Sequence, residues 1–238
     1  PEYRFKTRIG YTGNLNKRTG RLAGDIIIKG GGDPTLGSEY FKDHYLNFLK
    51  NWITEIKKLG INKIEGRIIA DDSWYDYQPI PAKWLWEDIG NYYGAGAYGL
   101  SVFDNKFEIH FKSSGDGSIP EITGIIPGQC RFELSNQLIA SSNTDKEGYV
   151  FSAPYNHYGW IAGSIPVNSE DFVLKASIID PPLLLAEIFD SMLDSAGIAV
   201  SGDPSTTRIE KKLTGDEPVF IAEVISPPLC DIIEVLNH

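Results

Sequence analysis

Residues 24–36 read Gly24-Asp25-Ile26-Ile27-Ile28-Lys29-Gly30-Gly31-Gly32-Asp33-Pro34-Thr35-Leu36, and the parsing of this stretch decides the fold. The apolar run from Leu22 to Lys29 predicts a strand. Gly30, Gly31 and Gly32 let the backbone leave that strand at positive φ. Asp33 is placed to cap and Pro34 to take the first helical position of a short turn. A phosphate loop does not fit. The Lys-Ser/Thr of a Walker loop is missing, and Gly-x-Gly-x-x-Gly fails because position 35 is Thr.

On the N-terminal side, Tyr3, Phe5, Thr7, Ile9 and Tyr11 alternate with Arg4, Lys6 and Arg8, the period of a half-buried strand. The polar stretch Gly13–Gly20 connects it to the next strand, so the pair predicts a hairpin. On the C-terminal side, Phe41, Tyr45, Phe48, Leu49, Trp52, Ile56 and Leu59 recur at helical spacing, with Gly60 as the stop. Ile64–Ala70 reads as a strand closed by Asp71-Asp72-Ser73. Strand, helix and strand imply an α/β layer.

Residues 74–100 are irregular and aromatic, with Trp74, Tyr75, Tyr77, Trp84, Trp86, Tyr92, Tyr93 and Tyr98 among prolines and glycines. Such a cluster serves either core packing or a sugar-binding platform, and packing is the commoner use. Leu100–Phe111 predicts a strand with a turn at Asp104-Asn105. Ser113–Asn168 has no helical period and predicts a small all-β unit. Phe172–Ile179 predicts a strand. Leu183–Ala196 predicts a second helix ended by Gly197, and Leu229, Ile232, Ile233 and Leu236 a third.

The chain has 238 residues, 22 Lys+Arg against 32 Asp+Glu, a net charge of −10 and 42% hydrophobic residues. This is a globular composition. The acidic balance argues against nucleic acid as a partner, because phosphate binding needs a basic face. No apolar run is long enough to span a bilayer. The chain begins at Pro1 and its only Met is Met192, which reads as a processed or cut chain. Cys130 and Cys230 are read as small buried hydrophobes, with pairing as the alternative.

No Ser has Lys three residues on, so the penicillin-recognising nucleophile pattern is absent. Ser141-Ser142-Asn143 matches Ser-x-Asn only by chance in a polar loop, and Arg18-Thr19-Gly20 reads as a turn. His44, His110, His157 and His238 lack ligand spacing, so no metal site is expected. Asp71, Asp72 and Asp76 read as a solvated turn, since the glycine and terminal Glu of a calcium loop are missing. No cofactor is expected.

Gly24–Leu36 nevertheless resembles the "GDLYLVGGGDPTL" stretch of class C low-molecular-mass penicillin-binding proteins, the D-alanyl-D-alanine carboxypeptidases and endopeptidases. Gly60-Ile61 with Ile64-Glu65-Gly66 and Asp71-Asp72-Ser73-Trp74, Trp84–Asp88, Tyr92-Tyr93-Gly94-Ala95 running into Leu100-Ser101 and Asp104-Asn105, and Ser226-Pro227-Pro228-Leu229 follow in family order. The resemblance covers nearly the whole chain. It implies that this is the inserted region between the Ser-x-x-Lys and Ser-x-Asn motifs of a serine-type peptidase, inactive alone and without a catalytic residue of its own.

The implied fold is an α/β (α+β) insert domain, residues 1–112 and 171–220, with a nested small all-β domain at 113–170. Residues 221–238 would re-enter the catalytic domain. The resemblance also implies a periplasmic, exported parent that meets peptidoglycan stem peptides and β-lactams. It nominates Asp88, Trp86 and Tyr93 as substrate-binding residues: a carboxylate for the amine of a diamino-acid side chain, and aromatics for its stem. The bland alternative places Asp88 in an exposed turn. The competing function is a non-catalytic peptidoglycan- or partner-binding module, and homo-oligomerisation through exposed ends stays open.

Overall fold

The computed structural model describes residues 2–42, 47–128, 133–143, 147–211 and 217–236. Readings that fall on His44, Tyr45, Cys130, Asn237 and His238 lie outside them. In chain order the elements are β1 (Lys6–Tyr11), β2 (Asn14–Asn16), β3 (Arg21–Ala23), β4 (Ile26–Lys29), α1 (Asn47–Lys58), β5 (Lys63–Ile64), β6 (Ile68–Asp71) and α2 (Trp86–Ile89). There follow β7 (Lys106–Lys112), β8 (Glu121–Ile126), β9 (Glu133–Ser141), β10 (Tyr149–Phe151), β11 (Tyr158–Pro166) and β12 (Phe172–Ser177). The chain continues with α3 (Pro181–Ser195), β13 (Ala199–Val200), β14 (Ser205–Thr206), α4 (Thr207–Glu210), β15 (Val219–Ile225) and α5 (Leu229–Leu236). The mixed α/β class is as expected. The chain forms two compact units, one of Pro1–Tyr77, Tyr98–Asp104 and Pro181–His238, the other of Gln78–Ala97 and Asn105–Asp180.

In the first unit, the described strands form a sheet of order β14-β6-β4-β1-β15 and a second of order β13-β5-β3-β2. β1 pairs antiparallel with β4 and β15, and β4 pairs parallel with β6. Ile26, Ile27 and Ile28 of β4 and all of β6 are buried, as continuous apolar runs in a covered central strand should be. β1 buries Thr7 and Ile9 and turns Arg8 outward, where its guanidinium lies 4.0 Å over the Phe220 ring. α1 buries Phe48, Leu49, Trp52, Ile53 and Ile56, the stripe its spacing predicts. Trp52 meets Phe189 of α3 edge-on at 5.8 Å. Burying a large apolar side chain of this kind contributes about 1.5–3 kcal/mol.

Several local expectations are corrected. The run Leu22–Lys29 is two strands, β3 and β4, in different sheets, and Ile64–Ala70 divides into β5 and β6 in the same way. The two breaks lie together: Asp25 Oδ1 accepts the Arg67 N–H at 2.9 Å, and Thr12 N–H donates to the Asp25 carbonyl at 2.9 Å. Gly13–Gly20 is also more than a loop, since β2 pairs with β3 across it. Of the three glycines at 30–32, Gly32 takes the positive φ, 75°. Asp33 Oδ1 accepts from Thr35 N at 2.9 Å and Thr35 Oγ1 at 2.7 Å. It therefore caps a turn, and residues 34–37 form no helix.

Asp71 and Asp72 are 2% exposed, not solvated. Asp71 holds Lys29 Nζ at 3.5 Å and accepts from Ser73 Oγ at 2.6 Å; Asp72 accepts from Thr207 Oγ1 at 3.0 Å. Cys230 is an exposed free thiol, not a buried hydrophobe. Ser226 is fully buried. Its Oγ accepts the Phe5 N–H at 2.9 Å and its N–H donates to the Phe5 carbonyl at 3.0 Å, which ties the Ser-Pro-Pro-Leu segment to the start of β1.

In the second unit, the described strands form sheets of order β12-β7-β8 and β10-β11-β9. The first is antiparallel throughout. In the second, β10 runs antiparallel to β11, but β11 and β9 are parallel from Tyr158↔Glu133 to Pro166↔Ser141. Strand alternation puts Val150, Ile161 and Leu138 on a fully buried face of that sheet. Tyr149, Phe151, Tyr158 and Trp160 fall on the other face. As expected, residues 113–168 carry β structure and no described helix.

Candidate functional site

Of the aromatics between residues 74 and 98, only Tyr98 is buried. Trp74, Tyr75, Tyr77, Trp84, Trp86, Tyr92 and Tyr93 are all at least 40% exposed. Core packing therefore accounts for Tyr98 and not for the cluster. Trp84, Trp86, Tyr92 and Tyr93 belong to Gln78–Ala97 in the second unit. There they surround α2, a single turn whose first boundary residue, Leu85, makes no side-chain cap.

Such a short helix cannot hold itself, so its position is set by side chains below it. Asn91, 5% exposed, donates from Nδ2 to the Glu87 carbonyl at 2.6 Å and accepts the Val150 N–H of β10 on Oδ1 at 3.1 Å. Ser177 of β12 donates from Oγ to the Ile89 carbonyl at 2.6 Å, and its N–H donates to the Gly90 carbonyl at 3.0 Å. The return of the chain through the Tyr92–Gly94 3₁₀ turn demands glycine at 94. A Cβ there would stand 2.0 Å from the Asp88 carbonyl oxygen.

The turn closes an open pocket of about 290 Å³ lined by Lys83, Trp84, Leu85, Asp88, Tyr93 and Gly94. Asp88 and Tyr93, both nominated from the sequence, thus come together. Trp86 does not line the pocket; its ring lies 6.2 Å from that of Trp160 on β11. Asp88 sits on a helical turn and is half-buried. The Tyr93 phenol is held above its ordinary pKa of 10.0 by partial burial first, and then by the charges of Asp88, Tyr149, Glu147 and Glu87.

A neutral phenol, a carboxylate and an indole in one lining can receive an ammonium group and cover its aliphatic stem. The lining contains neither Ser nor Cys. Among the described residues no group of three or more His, Cys, Asp or Glu side chains converges to hold a metal ion. No described helix is long and apolar enough to cross a membrane.

Sequence reasoning missed Lys83, Leu85 and Asn91. Trp84 was visible as part of the aromatic run, but nothing in the spacing distinguishes it from Trp86. Asn91 carried no sequence signal, because its partners lie in α2 and β10.

Comparison with known proteins places the whole chain, residues 1–238, on the model of the D-Ala-D-Ala carboxypeptidase 3 (S13) family. A D-alanyl-D-alanine carboxypeptidase of Actinomadura sp. (strain R39) is 25% identical over 217 residues, 85% of this chain and 38% of that protein. The D-alanyl-D-alanine carboxypeptidase DacB of Haemophilus influenzae is 24% identical, over 98% of this chain and 46% of that protein. The crystal structure of penicillin binding protein 4 (dacB) from Haemophilus influenzae matches with a TM-score of 0.74 at 20% identity, covering 99% of this chain and 49% of that one. A second structure of that protein, complexed with a novel β-lactam, matches with a TM-score of 0.69 at 18% identity. These structural likenesses establish a shared fold. The chain spans less than half the length of each of these relatives.

Proposed function

The chain belongs to the D-Ala-D-Ala carboxypeptidase 3 (S13) family, and on that footing we propose that it is part of an exported, periplasmic serine-type D-alanyl-D-alanine carboxypeptidase or endopeptidase acting on peptidoglycan stem peptides. In the parent, a Ser of a Ser-x-x-Lys motif attacks the D-Ala carbonyl, the Lys serves as base, and water releases the acyl group. β-Lactams acylate the same Ser. This stretch supplies no catalytic residue and is inactive alone. Its contribution is recognition: Asp88 takes the free amine of a diamino-acid side chain in the stem peptide, while Trp84 and Tyr93 pack on the stem.

The observation that carries this reading is the shared pocket of Asp88 and Tyr93. The charges that act on Tyr93 are acidic, Asp88, Glu87, Glu147 and Tyr149 when ionised, and they stand against a single cation in the pocket lining, Lys83. The test is a titration of the folded chain with a stem peptide carrying a free side-chain amine and with its N-acetylated form. Acetylation and Asp88→Asn should each weaken binding about fivefold, as expected for a half-exposed charge pair. Equal binding of the two peptides would remove Asp88 from recognition. A labelled β-lactam should leave the chain unmodified; a stable covalent adduct would overturn the assignment of catalysis to residues outside it.

A further inference from the structure

Between Tyr3 and Gly24 the chain carries six cations and no acid. Three of the six, Lys17, Arg18 and Arg21, belong to the β2–β3 hairpin of the first unit, and its turn is fixed. Asn16 Oδ1 accepts the Arg18 and Thr19 N–H groups at 3.1 and 3.2 Å. The turn is clamped to the residues that follow α1: Asn62 Nδ2 donates to the Thr19 carbonyl at 3.2 Å, and the Asn62 N–H to the Gly20 carbonyl at 2.9 Å. Gly60, whose N–H closes the end of α1 on the Lys57 carbonyl at 2.9 Å, adjoins the same turn. A Cβ on Gly20 would stand 2.5 Å from the Gly60 carbonyl oxygen. β3 and β5 then set Arg21 beside Lys63 as register partners, on the face opposite the buried Leu22 and Ile64.

Cations distant in sequence, from the hairpin, the last turn of α1 and β5, are thus gathered at one end of the unit. Arg21 is paired with Glu65 and Lys58 with Glu55. Lys17, Arg18, Lys57 and Lys63 make no ion pair among the described residues, and the first three are exposed. Lys57 and Lys58 oppose the negative end of the α1 dipole. No dipole asks for Lys17, Arg18 or Lys63. In a chain of net charge −10, this end therefore holds unpaired positive charge on a preordered surface.

We propose that this end of the first unit is a peripheral contact surface for an anionic lipid bilayer, held by headgroup phosphates. Charge complementarity selects the sign of the partner, and three observations select its kind. No large apolar side chain is exposed in residues 14–24 or 57–66. A folded acidic protein would therefore find no anchor to bury, whereas headgroups need none. No aromatic ring stands among these cations for a nucleic-acid base to stack on. A flexible polyanion would also meet the acidic remainder of the chain, while a plane touches one end and salt screens charges beyond about 8 Å. Lysine ammonium groups are mobile point charges, suited to phosphates that diffuse in a plane rather than to one fixed anion. The inference concerns a different unit from the pocket and stands or falls separately from it.

The test is co-sedimentation of the chain with vesicles of phosphatidylcholine containing about 30% phosphatidylglycerol, at lipid concentrations on the order of 1 mM. The chain should sediment with these vesicles at about 50 mM NaCl, be released at about 500 mM, and ignore vesicles of phosphatidylcholine alone. Lys17→Gln and Lys57→Gln should each weaken binding about fivefold, and together about thirtyfold. Lys112→Gln, which removes a cation of the second unit, should bind as the wild type does. Should the double variant melt early, Arg18→Gln, in the exposed turn, gives an independent fivefold loss. Equal binding to the two kinds of vesicle, no binding at low salt, or full binding by the double variant would overturn the proposal. So would binding to soluble inorganic polyphosphate without binding to the vesicles, which would assign the surface to a phosphate polymer.

Discussion

The side-chain amide of Asn91 stands between Glu87 and Val150 and bonds to both backbones. Nδ2 donates to the Glu87 carbonyl at 2.6 Å, and Oδ1 accepts the Val150 N–H at 3.1 Å. One buried residue thus joins the turn that carries Asp88 to strand β10. The pocket inherits its geometry from that junction, since nothing within α2 stabilises so short a helix.

Asn91→Ala leaves the buried Val150 N–H without a partner and removes the part-buried bond to the Glu87 carbonyl. Stability should fall by about 1–3 kcal/mol. Asn91→Asp keeps an acceptor for Val150 but loses the donor to Glu87, so its effect should remain destabilising. Urea denaturation with an unchanged slope would show the loss as a lower midpoint. A wild-type midpoint for Asn91→Ala would remove the residue from this role.

Tyr93 should ionise above 10.0, because partial burial first, and the neighbouring acidic groups second, disfavour the phenolate. The folded chain holds this proton more tightly than the unfolded chain does. The associated stability is present below pH 10 and is lost as pH rises through the folded-state value. Asp88→Asn should lower the Tyr93 midpoint only in part, since burial is the first cause. A pH series following the Tyr93 ring-carbon NMR signal tests both statements, and a midpoint at or below 10.0 in the wild type would refute the first.

Glu210 should titrate below 4.5. The Ser205 Oγ donates to its carboxylate at 2.7 Å, and Arg67 Nη1 adds a charged contact at 2.7 Å. A carboxylate depressed in the fold contributes stability above its unfolded value, and that contribution disappears as pH falls through the folded one. Ser205→Ala should move the Glu210 midpoint up toward 4.5. Carboxyl-carbon NMR in the two proteins measures the change; an unmoved midpoint would assign the shift to Arg67 alone.

Trp52 lies between Phe48 and Phe189, at 5.0 and 5.8 Å, and joins α1 to α3 in the first unit. Trp52→Ala should cost about 3–5 kcal/mol through the cavity it leaves. Its indole Nε1 is buried without a partner among the described residues, so Trp52→Phe, which removes that N–H, should cost much less than Trp52→Ala. Comparable midpoints for the two variants in denaturant would contradict this account.

What the sequence by itself determined is the local and the ordered. Helical spacing through Phe48, Trp52 and Ile56 located α1, and Leu184, Leu185, Ile188 and Phe189 located α3, because a long amphipathic period survives any tertiary setting. The order of Gly24–Leu36, Trp84–Asp88 and Ser226–Leu229 points to the family from the sequence alone. Only the tertiary structure divided Leu22–Lys29 and Ile64–Ala70 between two sheets. The divisions rest on a bond between Asp25 and Arg67, 42 residues apart, and no local pattern encodes such a bond. Likewise, one turn of helix has no period to read. Which of Trp84 and Trp86 faces the pocket and which faces Trp160 was decided by the strands beneath α2, through Asn91 and Ser177, and not by the order of residues within it.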